Sequence, residues 1–363
     1  MSIDWSHRRL LERRMRGPAF RTASRALAAA IVARSAGPIR DAARRPPVAA
    51  ALPLACTVQG VAGHLEALGD LDGLPEGFVA TVRREAAHIA ARAVRLDAEL
   101  RRIGAAARAA GLTLAPLKGT FLRSERYESS ALRPSADLDL LADPEDVAAW
   151  RAVLHACGYT DERVGARHVS FSRPDQQPVE ADGDHPDHPC PVELHTAISA
   201  RVFGRVIDVT DDYRRDLRDG TLLGMPARVP GDAALALHLV LHAAESMLDR
   251  GLRLAQVIDL GVLDDAEATC EAVRRRLPDA AWAVVHLCTR DVPGLMRDGW
   301  LAGQRSREPL RWRQAIIDTR PGLLTGDPYR VATLIGEVLL SGSLSAVVGR
   351  AVQSWRERRD DAR

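Results

Sequence analysis

LAPLKGTFLRSERYESSALRPSADLDLLA, residues Leu114 to Ala142, is the stretch on which the reading of this chain turns. It opens with an apolar run ending in Lys118-Gly119 and closes with Asp137-Leu138-Asp139-Leu140-Leu141. In a strand, successive side chains point to opposite faces, so Asp137 and Asp139 share one face while Leu138 and Leu140 take the other and can bury. Two carboxylates held this close repel unless a cation lies between them, and hard divalent cations take oxygen ligands. An Asp-x-Asp strand is therefore either half of a Mg²⁺ site or a solvated edge strand with two acids, and its surroundings must decide.

Two further features supply those surroundings. The chain carries 50 basic side chains, and every one except Lys118 is arginine. Arginine does the surface solvation here, which sets apart a lone lysine placed between an apolar run and a glycine. An ammonium on a flexible stem suits a phosphate oxygen, and Gly119 allows close backbone approach. Downstream, Pro191-Val192-Glu193-Leu194-His195 alternates again and puts Glu193 and His195 on one face. A third carboxylate on a strand beside Asp-x-Asp would complete a cage for two cations.

In this order, Lys118-Gly119, Arg133-Pro134, Asp137-x-Asp139-Leu140-Leu141 and Glu193-Leu194-His195 resemble a nucleotidyltransferase of the DNA polymerase β superfamily. More narrowly they are similar to the bacterial uncharacterised nucleotidyltransferase family, over roughly residues 95–265. The resemblance implies that Asp137, Asp139 and Glu193 are the catalytic carboxylates and hold two Mg²⁺ ions. It implies a nucleoside triphosphate such as ATP as substrate, with Lys118, Gly119, Thr120, Arg133, Ser135 and His195 around the nucleotide. One departure stands out. Polymerase β-like enzymes usually grip phosphate at a Gly-Ser or Gly-Gly turn a short distance before Asp-x-Asp. Here the turn is Lys118-Gly119-Thr120, and seventeen residues separate Gly119 from Asp137.

Composition narrows the alternatives. At 363 residues the chain is ample for a core. A net charge of +2 lacks the basic excess of a dedicated nucleic-acid binder, and 4% aromatic content leaves few stacking platforms. Cys56, Cys157, Cys190, Cys270 and Cys288 are scattered without a C-x-x-C pair, which fits a reducing compartment. No apolar run reaches the ~18 residues of a membrane span, and the arginine-rich start lacks a secretory signal. The expectation is a soluble cytoplasmic protein with no membrane and no nucleic-acid partner.

Along the chain, residues 1–35 read as one or two amphipathic helices, with breaks at Arg44-Arg45-Pro46-Pro47 and at Gly69 to Pro75. From Glu76 to Ala110, Val79, Val82, Ala86, Ile89, Ala93, Leu96 and Leu100 recur at three and four, which predicts one long helix ended by Gly111. A βαβ-like unit follows: strand Leu112 to Leu117, helix Thr120 to Ser129, strand Ala136 to Leu141. Asp143-Pro144 predicts a capped helix to Cys157 and Gly158. Arg167 to Ser172 is predicted to pair with the Glu193 strand, with an exposed loop from Arg173 to Pro191 between them. Beyond Gly231 helices are expected, the first capped by Asp232, then Leu252 to Leu263, Ala266 to Arg276, Asp279 to Thr289, Pro309 to Asp318 and Tyr329 to Ser341. The expected fold is α+β: a small mixed sheet of polymerase β type at 111–230, a helical region at 1–110 and another at 231–363.

Several side chains keep two readings. His195 either orients a metal ligand or contacts the nucleotide, or is a hydrogen-bonded sheet histidine. His238 and His242, one turn apart, are either a metal pair or helix-packing groups, with Arg253 and Asp259 on the next helix. Asp182, Asp184, His185, Asp187, His188 and Cys190 have ligand chemistry in an irregular loop beside Glu193. For the whole chain the alternatives to Mg²⁺-dependent transfer are a catalytically silent nucleotide- or partner-binding protein, and a structural protein with Glu193 far from Asp139.

Overall fold

A computed structural model of the chain describes residues 15, 17–165, 167–177, 179, 183–202, 205–249, 252–263 and 267–277, and positions 281, 284, 285, 288, 292, 294 and 295. Among the described residues, four helices precede the longest one: α1 (Pro18–Ala33), α2 (Gly37–Ala43), α3 (Pro46–Gln59) and α4 (Ala62–Ala67). The break expected at Arg44-Arg45-Pro46-Pro47 falls between α2 and α3, and its two prolines start α3, because proline is preorganised for the first helical turn. The long helix α5 (Glu76–Ala109) has 34 residues, about 51 Å at the α-helical rise. Its buried stripe includes Phe78, Val82, Ile89, Leu96, Leu100 and Ile103, and Gly111 turns out of it at φ 76°.

The segment expected as strand 112–117 pairs only at isolated bridges, Leu114 with Ala227 and Pro116 with Leu140. Its backbone nevertheless extends the sheet: Leu117 N donates to Asp139 O at 3.0 Å and Leu141 N to Ala115 O at 2.8 Å. Helix α6 (Lys118–Glu125) then leads through a 3₁₀ turn at Ser130–Leu132 to β1 (Leu138–Leu141). Asp143 makes no cap hydrogen bond. A 3₁₀ turn at Pro144–Asp146 enters α7 (Val147–Ala156) instead, and Gly158 ends that unit at φ 82°.

Strands β2 (Asp161–Val164), β3 (His168–Ser172) and β4 (Val192–His195) complete a sheet of order β1-β4-β3-β2. β4 runs parallel to β1, with Asp139 opposite Glu193, and antiparallel to β3, with His168 opposite His195. All four β1 residues are buried, since the strand lies between β4 and the 114–117 segment. The predicted pairing of Arg167 to Ser172 with the Glu193 strand is thus present. The loop between them is not free in solvent. It folds back on α5, where Arg92 Nη1 donates to His188 O at 2.9 Å and Arg95 Nη1 to Pro186 O at 2.6 Å.

Two hairpins follow, β5 (Ser199–Val202) with β6 (Arg205–Asp208), and β7 (Leu217–Leu222) with β8 (Met225–Pro230), separated by α8 (Thr210–Arg215). Helices α9 (Asp232–Asp249), α10 (Leu254–Gly261) and α11 (Glu267–Arg276) follow. The sequence assigns the α9 cap to Asp232, but Asp232 is the first helical residue and pairs with Arg126. The capping carboxylate is Asp216, whose Oδ2 accepts from Ala234 N at 3.2 Å.

One contiguous apolar cluster runs from Phe20 to Val292, with Trp150, Tyr159 and Tyr213 fully buried. The fold is α+β as expected. No described helix is long and apolar enough to cross a membrane. Residues 1–14, the expected helices at 309–318 and 329–341, most of 279–289, Asp182 and the tail from 355 lie outside the described residues.

Candidate active site

The parallel register of β1 and β4 brings the three acids together. One carboxylate oxygen each from Asp137, Asp139 and Glu193 lies within 4.8 Å of the others. This excludes the structural reading in which Glu193 lies apart from the aspartates. Lys118 reaches the same point from the first turn of α6, its Nζ 3.5 Å from Asp139 Oδ1. Its backbone takes a left-handed φ of 31°, a strained conformation for a residue with a side chain, and such strain gathers at functional sites.

His195 Nε2 lies 2.9 Å from Asp139 Oδ1 and 3.3 Å from Glu193 Oε2, so its imidazole bridges two of the acids. Across the β3–β4 ladder, His168 Nε2 lies 3.7 Å from Glu193 Oε1. Thr120 faces the strand: its Oγ1 accepts the Asp139 N–H at 2.8 Å. Ser135 Oγ donates to Asp137 O at 3.2 Å. Both hydroxyls therefore hold the acidic backbone in place.

The electrostatics follow from crowding. Burial and the neighbouring Asp139 and Glu193 push the Asp137 carboxyl up to about 7. Burial would raise Asp139 too, but Lys118 and the hydrogen bond from His195 outweigh it and hold that carboxyl below its ordinary range. The His195 hydrogen bond lowers Glu193 in the same way. Burial disfavours the Lys118 ammonium, yet the three carboxylates reverse this and raise it. The pocket thus holds more negative charge than Lys118 and His195 neutralise, and one of its acids resists ionisation.

Arg133 is positioned by a neighbour the sequence did not pair it with. Its Nε and Nη2 donate to Asp259 Oδ1 and Oδ2 at 2.9 and 2.8 Å, and Tyr127 OH donates to Asp259 Oδ1 at 2.7 Å. The guanidinium lies against the Lys118-Gly119 turn, so close that a Cβ on Gly119 would sit 2.4 Å from Arg133 Nη1. The close approach that Gly119 permits is thus filled by an arginine of this chain. Of the paired histidines, His238 meets Tyr213 edge-on at 5.6 Å between centroids, and His242 Nε2 faces Gln256 Nε2 at 3.2 Å. Burial keeps both neutral, His242 down at about 3. His238 thus packs against Tyr213, and His242 hydrogen-bonds to Gln256.

Two contributors were missed. His168 sits in the strand expected to pair with Glu193, and fixing that register would have set it opposite His195. Arg92 lies on the buried stripe of α5, between Ile89 and Leu96, and a charge on an apolar stripe is the signal that it serves a purpose there. Its guanidinium donates to Ser135 O at 2.9 Å and Ala136 O at 2.7 Å, just before Asp137, and to Pro189 O at 2.8 Å, shortly before Glu193. Among the described residues, the groups able to hold a cation are Asp137/Asp139/Glu193 and His168/Glu193/His195, and the 183–190 loop supplies none.

A family model described as uncharacterised nucleotidyltransferase matches residues 57–285, extending beyond the motifs on both sides. No curated protein and no solved structure matches the chain.

Proposed function

The chain belongs to the uncharacterised nucleotidyltransferase family, and from that membership we propose that it transfers a nucleoside monophosphate from an NTP to an acceptor with the help of Mg²⁺. The observation that carries this reading is the convergence of Asp137, Asp139 and Glu193 within 4.8 Å, beside the only lysine in the chain.

The donor set fits a hard cation: three carboxylates, with Asp137 pushed up to about 7 by burial and by the Asp139 and Glu193 charges beside it. Asp137, Asp139 and Glu193 would hold two Mg²⁺ ions, which supply charge neutralisation at the triphosphate and a lowered pKa for an acceptor hydroxyl. The protein's own part is positional. Thr120, Ser135 and Arg92 fix the backbone on which the acids stand. Lys118, strained and partly exposed, offers its ammonium to the phosphate oxygens that leave as pyrophosphate. Gly119 and Arg133 form the floor under that lysine, so Arg133 acts through the turn more than through a free fork. His195 keeps Asp139 and Glu193 oriented.

The test is transfer of label from α-³²P NTPs to candidate acceptors by wild type and Asp139→Asn. Loss of labelled product in the variant supports the assignment, and equal transfer by both proteins excludes these carboxylates as the reaction centre. A second reading, nucleotide binding without turnover, is favoured by the Lys118-Gly119 turn and its long interval to Asp137. Calorimetric Mg-NTP binding without pyrophosphate release across an acceptor panel would select it.

A further inference from the structure

Glu193 belongs to two groups of potential ligands, and only one of them is made of oxygen alone. The second comprises His168, Glu193 and His195, whose ligand atoms lie within 4.8 Å of one another. These residues face each other across the antiparallel β3–β4 ladder, His168 directly opposite His195, with ring centroids 4.9 Å apart. Both imidazoles present Nε2 to the same carboxylate, at 3.3 Å from His195 and 3.7 Å from His168. Two ligands of a tetrahedral ion bound at ~2.0–2.1 Å stand about 3.3 Å apart. The first distance already matches, the second closes by about 0.4 Å, and the ion takes the place of the proton that His195 Nε2 shares with Asp139 Oδ1 at 2.9 Å.

We propose that His168, Glu193 and His195 bind a divalent cation of the Zn²⁺ class, at a site joined to the three-carboxylate group through Glu193 but selective for a different metal. Two imidazoles and one carboxylate favour zinc and its neighbours over Mg²⁺, which prefers oxygen. The set supplies three protein ligands and leaves further positions open, the pattern of a reactive or exchangeable zinc. The five cysteines are all buried and do not compete for the ion at the surface. This inference goes beyond the nucleotidyl-transfer reading and needs no nucleotide, since it rests on the geometry of β3 and β4.

Zinc binding is measured on the full metal-stripped chain by competition with a chromophoric chelator, in millimolar Mg²⁺ and without nucleotide. Wild type is expected to take up one zinc saturably. His168→Ala is expected to weaken it by at least ~10-fold, the scale of a lost ligand interaction. His185→Ala serves as control, because its ring belongs to the separate His88–His185 pair at 5.0 Å. Asp137→Asn should also retain zinc while losing label transfer, so failure of this site and failure of the transferase reading give different results. A second measurement needs no variant. The His168 side chain is 30% exposed, and zinc should protect it from diethyl pyrocarbonate while His185 stays reactive. Absence of saturable zinc in wild type, wild-type affinity in His168→Ala, loss in His185→Ala, or an unprotected His168 would each overturn the proposal.

Discussion

Replacing Gly119 with alanine tests the most crowded contact beneath the candidate site. The added Cβ would lie 2.4 Å from Arg133 Nη1, 3.0 Å from Cζ and 3.2 Å from Nη2. Ordinary contact begins near 3.5 Å, so the guanidinium must retreat by about 1 Å. A surface arginine would do so at little cost. Arg133 cannot, because Asp259 holds its Nε and Nη2 at 2.9 and 2.8 Å and is itself fixed by Tyr127. Breaking one charge-assisted bond of this fork costs about 1.5–3 kcal/mol. The helical preference for alanine over glycine returns up to ~1 kcal/mol. The expected net loss is about 1–2 kcal/mol, a Tm decrease of roughly 1–3 °C for a chain of this size. In an Arg133→Ala background the obstacle is gone, and Gly119→Ala should become neutral or slightly stabilising. A double-mutant cycle from calorimetric or denaturant unfolding measures the difference. An equal penalty in both backgrounds, or none in the wild-type background, refutes the crowding argument.

Other expectations concern the same scaffold. Thr120→Val leaves the buried Asp139 N–H without its acceptor and should cost about 1–3 kcal/mol, while Thr120→Ser keeps the bond; equal melting temperatures for the two variants would contradict this. The Asp137 carboxyl is raised from 3.8 to about 7, so its contribution to stability is complete below pH 4 and disappears as the pH rises through 7. Without metal, Asp137→Asn should therefore lose less stability than wild type between pH 4 and 7, and parallel curves would argue against the shift. Saturating Mg²⁺ should stabilise wild type by about 2.7 kcal/mol at 100 times its dissociation constant, and Asp137→Asn by less; thermal shift at pH 8 reads the comparison. Arg92→Lys substitutes a point charge for a fork and should speed amide hydrogen exchange across 183–190, whereas unchanged exchange there would show that the loop is held by other contacts.

The carboxylates were legible in the sequence because strand alternation is a strict local rule: once Asp139 and Glu193 sit on adjacent strands, the β1–β4 register makes them neighbours. The long helix was legible for the same reason, its apolar period running from Val79 to Leu100, about six turns. What escaped depended on partners far away along the chain. Asp232 looks like a cap locally, but Asp216, sixteen residues earlier, fills that position from the β7 side. Arg133 looks like a free phosphate ligand until Asp259, 126 residues downstream, comes to meet it. The strand expected at 112–117 became a single bridged segment, since Leu114 and Pro116 turn to different partners, Ala227 and Leu140.

Arg92 gives the pocket a fixed gauge. From one point on the long helix, its planar head grips the carbonyls of Ser135 and Ala136 on the approach to one acidic strand and that of Pro189 on the approach to the other. The two strands are thus spaced at their upstream ends by a rigid side chain as well as by their own ladder.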